Sequence, residues 1–261
     1  SNVQLLVQDT TTLSLFKHWS VNKFQIDNSD ESLVKKTTEL SQTLFKLNAH
    51  LRNLIKISPS LIDELEKSPT STETYVPVLY EKTDYLIEFE GFVTKYKTDL
   101  DLLAHIINLF YESKLKTWQR DKIDGIEVIG GKVIVTLENL PMSVRSNASE
   151  LSEYIKAQTK YLDPIVRIRD YVIHDGRYRN LQGYRYMPTE KKVYPPIIRI
   201  DNKNIFLIDF MKNEAESISN FVTNCLVIML SNLMPDMKIT QNVNGEWMWI
   251  TSSLPQSQQL S

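Results

Sequence analysis

Ser32-Leu-Val-Lys-Lys-Thr-Thr-Glu-Leu-Ser-Gln-Thr-Leu-Phe-Lys-Leu-Asn-Ala-His-Leu-Arg-Asn-Leu-Ile-Lys-Ile57 sets Leu33, Thr37, Leu40, Leu44, Leu47, Leu51 and Leu54 at alternating steps of four and three. That spacing is the seam of a helix lying lengthwise on a neighbour. Asp27, Asn28 and Ser29 are cap candidates at its start, and Pro59 is expected to stop it.

Outward from this seam, helical periodicity returns. Leu86, Phe89, Val93, Tyr96, Leu103, Ile107, Phe110 and Leu115 mark a second stretch from about Val76 to Trp118, as one helix or as two broken near Lys97-Thr98-Asp99. Asn147-Ala-Ser-Glu150 reads as a capping box opening a third helix, which Asp163-Pro164 kinks or restarts. A last helix is expected from about Asn213 to Leu233. Two β-hairpins interrupt the helices. One joins Ile126–Ile129 to Lys132–Leu137 around Gly130-Gly131; the other joins Ile197–Ile200 to Ile205–Ile208.

These elements predict a mainly α fold: an antiparallel helical bundle with two small β-hairpin insertions. We expect one elaborated helical domain over 1–261. It comprises N-terminal long helices (28–120), a hairpin region (121–143), helices of 147–234 carrying the second hairpin at 197–208, and a C-terminal extension (235–261) with a frayed tail.

Bulk composition narrows the function classes. Thirty Lys plus Arg against 32 Asp plus Glu make the chain nearly neutral, so any contact with nucleic acid must be local. The single cysteine, Cys225, excludes an internal disulfide framework and fits a reducing, cytoplasmic setting. The longest apolar run, Phe221 to Met234, is too short to span a membrane, and no leader peptide is read at the start. No Cys/His cluster, phosphate-cradling glycine loop or nucleophile elbow occurs, so no metal and no cofactor are expected.

The chemistry concentrates in Ile165-Val-Arg167-Ile-Arg169-Asp170-Tyr171-Val-Ile-His174-Asp-Gly176. Arg169 falls on the apolar stripe of Leu151, Ile155, Leu162, Ile165 and Val172, where a charge is costly unless paired or opened into a cleft. Asp170 and His174 are four apart and share a face, so the carboxylate can orient the imidazole. Ideal helix geometry favours Arg167 as the partner of His174, while a helix unwinding at Gly176 would let Arg169 reach it; spacing leaves both open. The same residues also complement the negative end of a helix dipole. From Glu153 to Lys192 nine basic residues face five acidic ones, with Tyr171, Tyr178, Tyr184 and Tyr186 interleaved as flat surfaces for unpaired bases.

Arg169-Asp-Tyr-Val-Ile-His174, at a helix end in a mostly helical chain, resembles the HEPN superfamily pattern of Arg, four to six residues, then His, often with a polar residue after the arginine. The resemblance implies a metal-independent endoribonuclease in which two copies of the motif meet across a homodimer to form one cleft. It also implies a prokaryotic toxin or phage-defence component, with an antitoxin or regulatory protein as a further partner. Catalytic roles fall to Arg169, His174 and Asp170. Arg167, Tyr171, Arg177 and Arg179 would bind the RNA. The tyrosine that some family members carry two residues after the histidine is Gly176 here, so regulation through that tyrosine does not transfer.

The alternatives are a non-catalytic nucleotide- or RNA-binding or protein-interaction module, and a helical scaffold assembling through the Leu33–Leu54 seam. His18, His50 and His105 are expected as packing or surface residues, Cys225 as core, and Trp247 and Trp249 as anchors of the tail.

Overall fold

The computed structural model describes residues 29–67, 76–77, 84–175, 178, 180–187, 189–233, 237–241 and 247–251. Among them are five helices: α1 (Ser29–Lys67), α2 (Asp84–Tyr111), α3 (Gly131–Glu138), α4 (Met142–Asp175) and α5 (Leu207–Leu233). Ten short strands accompany them: β1 (Val76–Pro77), β2 (Asp121–Ile123), β3 (Ile126–Val128), β4 (Leu181–Gln182), β5 (Arg185–Met187), β6 (Lys192–Tyr194), β7 (Ile197–Ile200), β8 (Lys203–Phe206), β9 (Met237–Gln241) and β10 (Trp247–Thr251). The fold is therefore mainly α with small antiparallel β insertions.

The chain divides into two compact units, one within Ser1–Ser41, Leu100–Thr159 and Ser219–Ser261, the other formed by Gln42–Asp99 and Lys160–Ile218. Each of the four long helices contributes one segment to each unit.

In the first unit, Leu103 and Ile107 of α2, Leu151 and Ile155 of α4, and Val222 and Cys225 of α5 are buried. Trp118, fully buried, meets Phe221 edge-on at 5.6 Å, and Phe221 stacks on Tyr154 at 5.8 Å. The first predicted hairpin is corrected here. Its strands are β2 and β3, and its turn is Asp124-Gly125, both at positive φ, as a tight two-residue turn requires. Lys132–Leu137 is not a strand but most of α3, which buries Val133, Ile134 and Leu137 on one face. Gly130 and Gly131 serve close approach instead of a hairpin turn. Gly130 has φ 76 and lies so near Trp118 that an added Cβ would fall 2.6 Å from the indole Nε1. A Cβ on Gly131 would fall 2.5 Å from the Asp121 carbonyl oxygen. The C-terminal strands β9 and β10, in a region expected only as an extension, pair antiparallel with Trp247 opposite Gln241. The expected anchoring role of Trp247 and Trp249, and the tail beyond Thr251, lie outside what is described.

In the second unit, Leu44, Leu47, Leu51 and Leu54 of α1 are buried, as the seam predicts, with Phe89, Val93 and Tyr96 of α2, Leu162, Ile165 and Val172 of α4, and Phe210 and Met211 of α5. Sheets β1-β5-β6 and β4-β7-β8 belong to this unit. The second predicted hairpin forms with a tighter turn: β7 pairs with β8 (Ile198 opposite Ile205) across Asp201-Asn202, both at positive φ, and Ile208 belongs to α5.

Several predicted helix limits shift. Pro59 does not end α1, which continues to Lys67. The lost backbone hydrogen bond is tolerated because Leu54 and Leu61 are buried on either side of the exposed proline. Pro164 does not restart α4, which runs through it with Leu162, Ile165 and Val166 buried around it; Asp163 is interior to the helix and not a cap. The expected start at Asn147 moves back to Met142. α2 runs unbroken through Lys97-Thr98-Asp99, with the Thr98 hydroxyl donating to the Thr94 carbonyl, and Val76 belongs to β1. α5 starts at Leu207, ahead of Asn213. The cap candidates Asp27 and Asn28, and His18, lie outside the described residues.

Candidate functional site

At the C-terminal end of α4 the buried stripe passes from Ile165 and Val166 to Val172, and Arg169 interrupts it. The arginine is partly sealed, its side chain 24% exposed. Nη1 donates to Asp170 Oδ1 at 3.0 Å and lies 3.3 Å from His174 Nε2. The Nε of Arg169 is shut off from solvent without a hydrogen-bond partner.

A guanidinium only donates, so for this contact to be a hydrogen bond Nε2 of His174 must be the accepting nitrogen, in the tautomer that carries its hydrogen on Nδ1. The carboxylate of Asp170, expected to orient the imidazole, takes its bond from Arg169 and so acts on His174 through the arginine. α4 is still helical at His174, so no unwinding is needed. The reach of the arginine side chain closes the gap. Arg167 goes elsewhere: its Nε donates to Asp163 one turn back, and its side chain is exposed.

Tyr171 is 44% exposed and borders a narrow groove with about 20 Å3 of free room, together with Ile168, Val172, Tyr178, Asn180 and Leu181. The Tyr178 hydroxyl donates to Glu90 of α2. Tyr184 and Tyr186 are corrected from base-stacking surfaces to core. Tyr184 is fully buried, edge-on to Tyr85 at 5.5 Å, and Tyr186 is 8% exposed on the middle strand of its sheet. Arg177, Arg179 and Gly176 lie outside the described residues. The local excess of basic residues is partly spent internally: Lys156 bonds Asp124, Lys160 lies over the Tyr161 ring, and Arg185 and Lys192 lie over Tyr194.

Three polar arrangements escaped the sequence reading, since each joins residues far apart in the chain. His50, expected to pack or face solvent, bonds Glu88 through Nδ1 at 2.7 Å, while Asn53 donates to the other carboxylate oxygen at 3.2 Å. Tyr184 donates to the Ser58 hydroxyl at 3.0 Å inside the protein. Glu214 lies near Tyr96, and burial pushes its carboxyl up to about 7 against the opposing pull of the Tyr96 hydroxyl. Cys225 is core, and burial drives its thiol well above the usual range. Among the described residues no group of three or more His, Cys, Asp or Glu could hold a metal ion, and no helix is long and apolar enough to cross a membrane.

Compared with protein-family models, curated proteins and solved structures, the chain matches none.

Proposed function

We propose that the end of α4 is the phosphodiester-handling site of a HEPN-like, metal-independent endoribonuclease. The observation that carries this reading is the 3.3 Å approach of Arg169 Nη1 to His174 Nε2, with the imidazole exposed. A neutral imidazole beside a guanidinium is a base next to an anion holder, the two groups that transesterification of RNA requires. RNA phosphate draws the Arg169 head away from Nε2, and that freed lone pair takes the proton of the ribose 2′-hydroxyl. The 2′-oxygen then bonds to the adjacent phosphorus while Arg169 neutralises the charge on the phosphorane. The bond to the 5′-oxygen breaks, and that oxygen leaves with a proton from a second acid, which we assign to the His174 of a twin subunit. The products are a 2′,3′-cyclic phosphate and a 5′-hydroxyl end.

Asp170 holds the guanidinium at the site, Tyr171 offers a face to an unpaired base, and Arg177 and Arg179 extend the contact to flanking phosphates. This reading makes the protein a cytoplasmic toxin or phage-defence nuclease, acting as a homodimer and restrained by an antitoxin or regulatory protein.

A second reading is a non-catalytic nucleotide- or RNA-binding module. It is favoured by the closure of the site on itself, since Arg169 already occupies both Asp170 and His174. Incubation of purified protein with RNA in EDTA, followed by end-group analysis, separates the two. Cyclic-phosphate ends that vanish in His174→Ala support the nuclease. Equal cleavage by His174→Ala overturns it, and RNA affinity without cleavage establishes the binding module.

A further inference from the structure

Remote in sequence from the α4 site, a cavity of about 520 Å3, part of it open to solvent, lies in the second unit where α1, the β6–β7 connection and the start of α5 come together. Its walls are almost wholly apolar, built from Leu54, Pro195, Pro196, Leu207 and Ile208. About 210 Å3 of it is room that a guest can enter; this is less than a drug-sized ligand needs but more than the roughly 150 Å3 that holds a benzene, and the lining has the usual character of apolar walls with few polar groups.

The polar content is specific. Ser58 and Tyr184 both line the cavity, both are buried, and they are joined by one 3.0 Å hydrogen bond. Two hydroxyls sharing one hydrogen bond keep one hydrogen and several lone pairs unspent, whichever of them donates. Elsewhere on α1, Thr37 and Thr38 return their hydroxyl hydrogens to the carbonyl four residues back, and Ser60 to the one three back. Ser58 makes no such bond among the described residues, so the Ser58–Tyr184 pair faces the cavity with one donor and one acceptor unengaged.

The remaining walls select among ligands. The rings of Tyr184, Pro195, Pro196 and the half-exposed Phe206 line the cavity. Asp209, exposed on the first turn of α5, places a carboxylate at the rim and opposes an anionic guest. We propose that this cavity is a binding site for a neutral aromatic alcohol of one ring, its hydroxyl engaging the Ser58–Tyr184 pair and its ring lying against the prolines. An apolar cavity left empty forfeits contact energy that such a guest recovers.

The test is a titration of the full chain with 4-ethylphenol, followed by ligand-observed NMR and calorimetry. Saturable one-to-one binding, with a dissociation constant roughly in the sub-millimolar range for nine heavy atoms, is the expected result. Ser58→Ala removes one hydroxyl of the pair and weakens binding about tenfold. Ile208→Trp fills the space and abolishes it. 4-Hydroxybenzoate binds at least about tenfold more weakly than 4-ethylphenol, and Asp209→Asn narrows that difference. Absence of saturable binding to folded wild type overturns the site. Undiminished binding to both Ile208→Trp and Ser58→Ala places the ligand elsewhere and overturns it equally. Equal affinity for the anion overturns the assigned selectivity.

Discussion

Arg169 and His174 meet at 3.3 Å although five residues of helix place them about 140° apart around α4. Arg167, two turns from His174 on nearly the same face, is held by Asp163 instead. The guanidinium of Arg169 reaches round the helix, with Nη1 3.0 Å from Asp170 Oδ1 and 3.3 Å from His174 Nε2.

Under the proposed function, replacing Arg169 removes the group that stabilises the phosphorane. Arg169→Ala is expected to lower RNA cleavage by about 10²–10³-fold, and Arg169→Lys nearly as much, because an ammonium lacks the planar fork. Arg167→Ala should change the rate by less than about threefold, as its exposed ion pair is worth little. Single-turnover rates in EDTA provide the comparison; a larger loss in Arg167→Ala would transfer the role.

Glu214 makes stability depend on pH. Burial raises its carboxyl from 4.5 to about 7, so the folded chain holds this proton more tightly than the unfolded chain. Its contribution is complete below about pH 4.5 and is lost as pH climbs to about 7, on the order of 3 kcal/mol in all. Urea unfolding at pH 5 and pH 8 should show a smaller loss of stability in Glu214→Gln than in wild type by most of that amount. Parallel pH profiles for the two proteins would refute the assignment.

Gly130 and Gly125 both have positive φ, 76 and 80, but different surroundings. A Cβ on Gly125 meets open space, whereas on Gly130 it meets the buried ring of Trp118. Gly125→Ala should cost about 1–2 kcal/mol, the left-handed backbone penalty alone. Gly130→Ala should cost at least about 2 kcal/mol more, since overpacking against a fixed indole is added. Denaturation midpoints and m values measure both.

Gly91 has the His50 ring in the place of a side chain: a Cβ there would fall 2.3 Å from the imidazole. Gly91→Ala in wild type therefore displaces His50 from Glu88 and destabilises by about 1–3 kcal/mol. In a His50→Ala background the same change should become neutral or stabilising by up to about 1 kcal/mol, because alanine is the better helix former. A double-mutant cycle reads the reversal of sign; equal penalties in both backgrounds would show that the ring contact is not the cause.

The helical content was legible because it rests on local periodicity. Leu40, Leu47 and Leu54 recur at helical spacing and are buried, as are Leu151, Leu162 and Ile165 on α4. Punctuation was less legible. Pro59 looks like a stop and Asp163-Pro164 like a kink or a restart, yet both helices continue through, with buried neighbours on either side of each proline. Val133-Ile134-Val135 looks like a strand from its β-branched composition, yet a helix here buries Val133, Ile134 and Leu137 on one face.

The sequence by itself determined a mainly helical chain with small hairpins and singled out the Arg169–His174 segment, since periodicity, turn chemistry and short spacings are properties of neighbours along the chain. Only the tertiary structure decided that Arg169 and not Arg167 faces His174, that Tyr184 and Tyr186 are core, and that Ser58 and Tyr184 share a cavity. Those outcomes depend on which surfaces bury one another across 100 residues or more, or on how much room is left for a side chain. No local pattern encodes that competition for space.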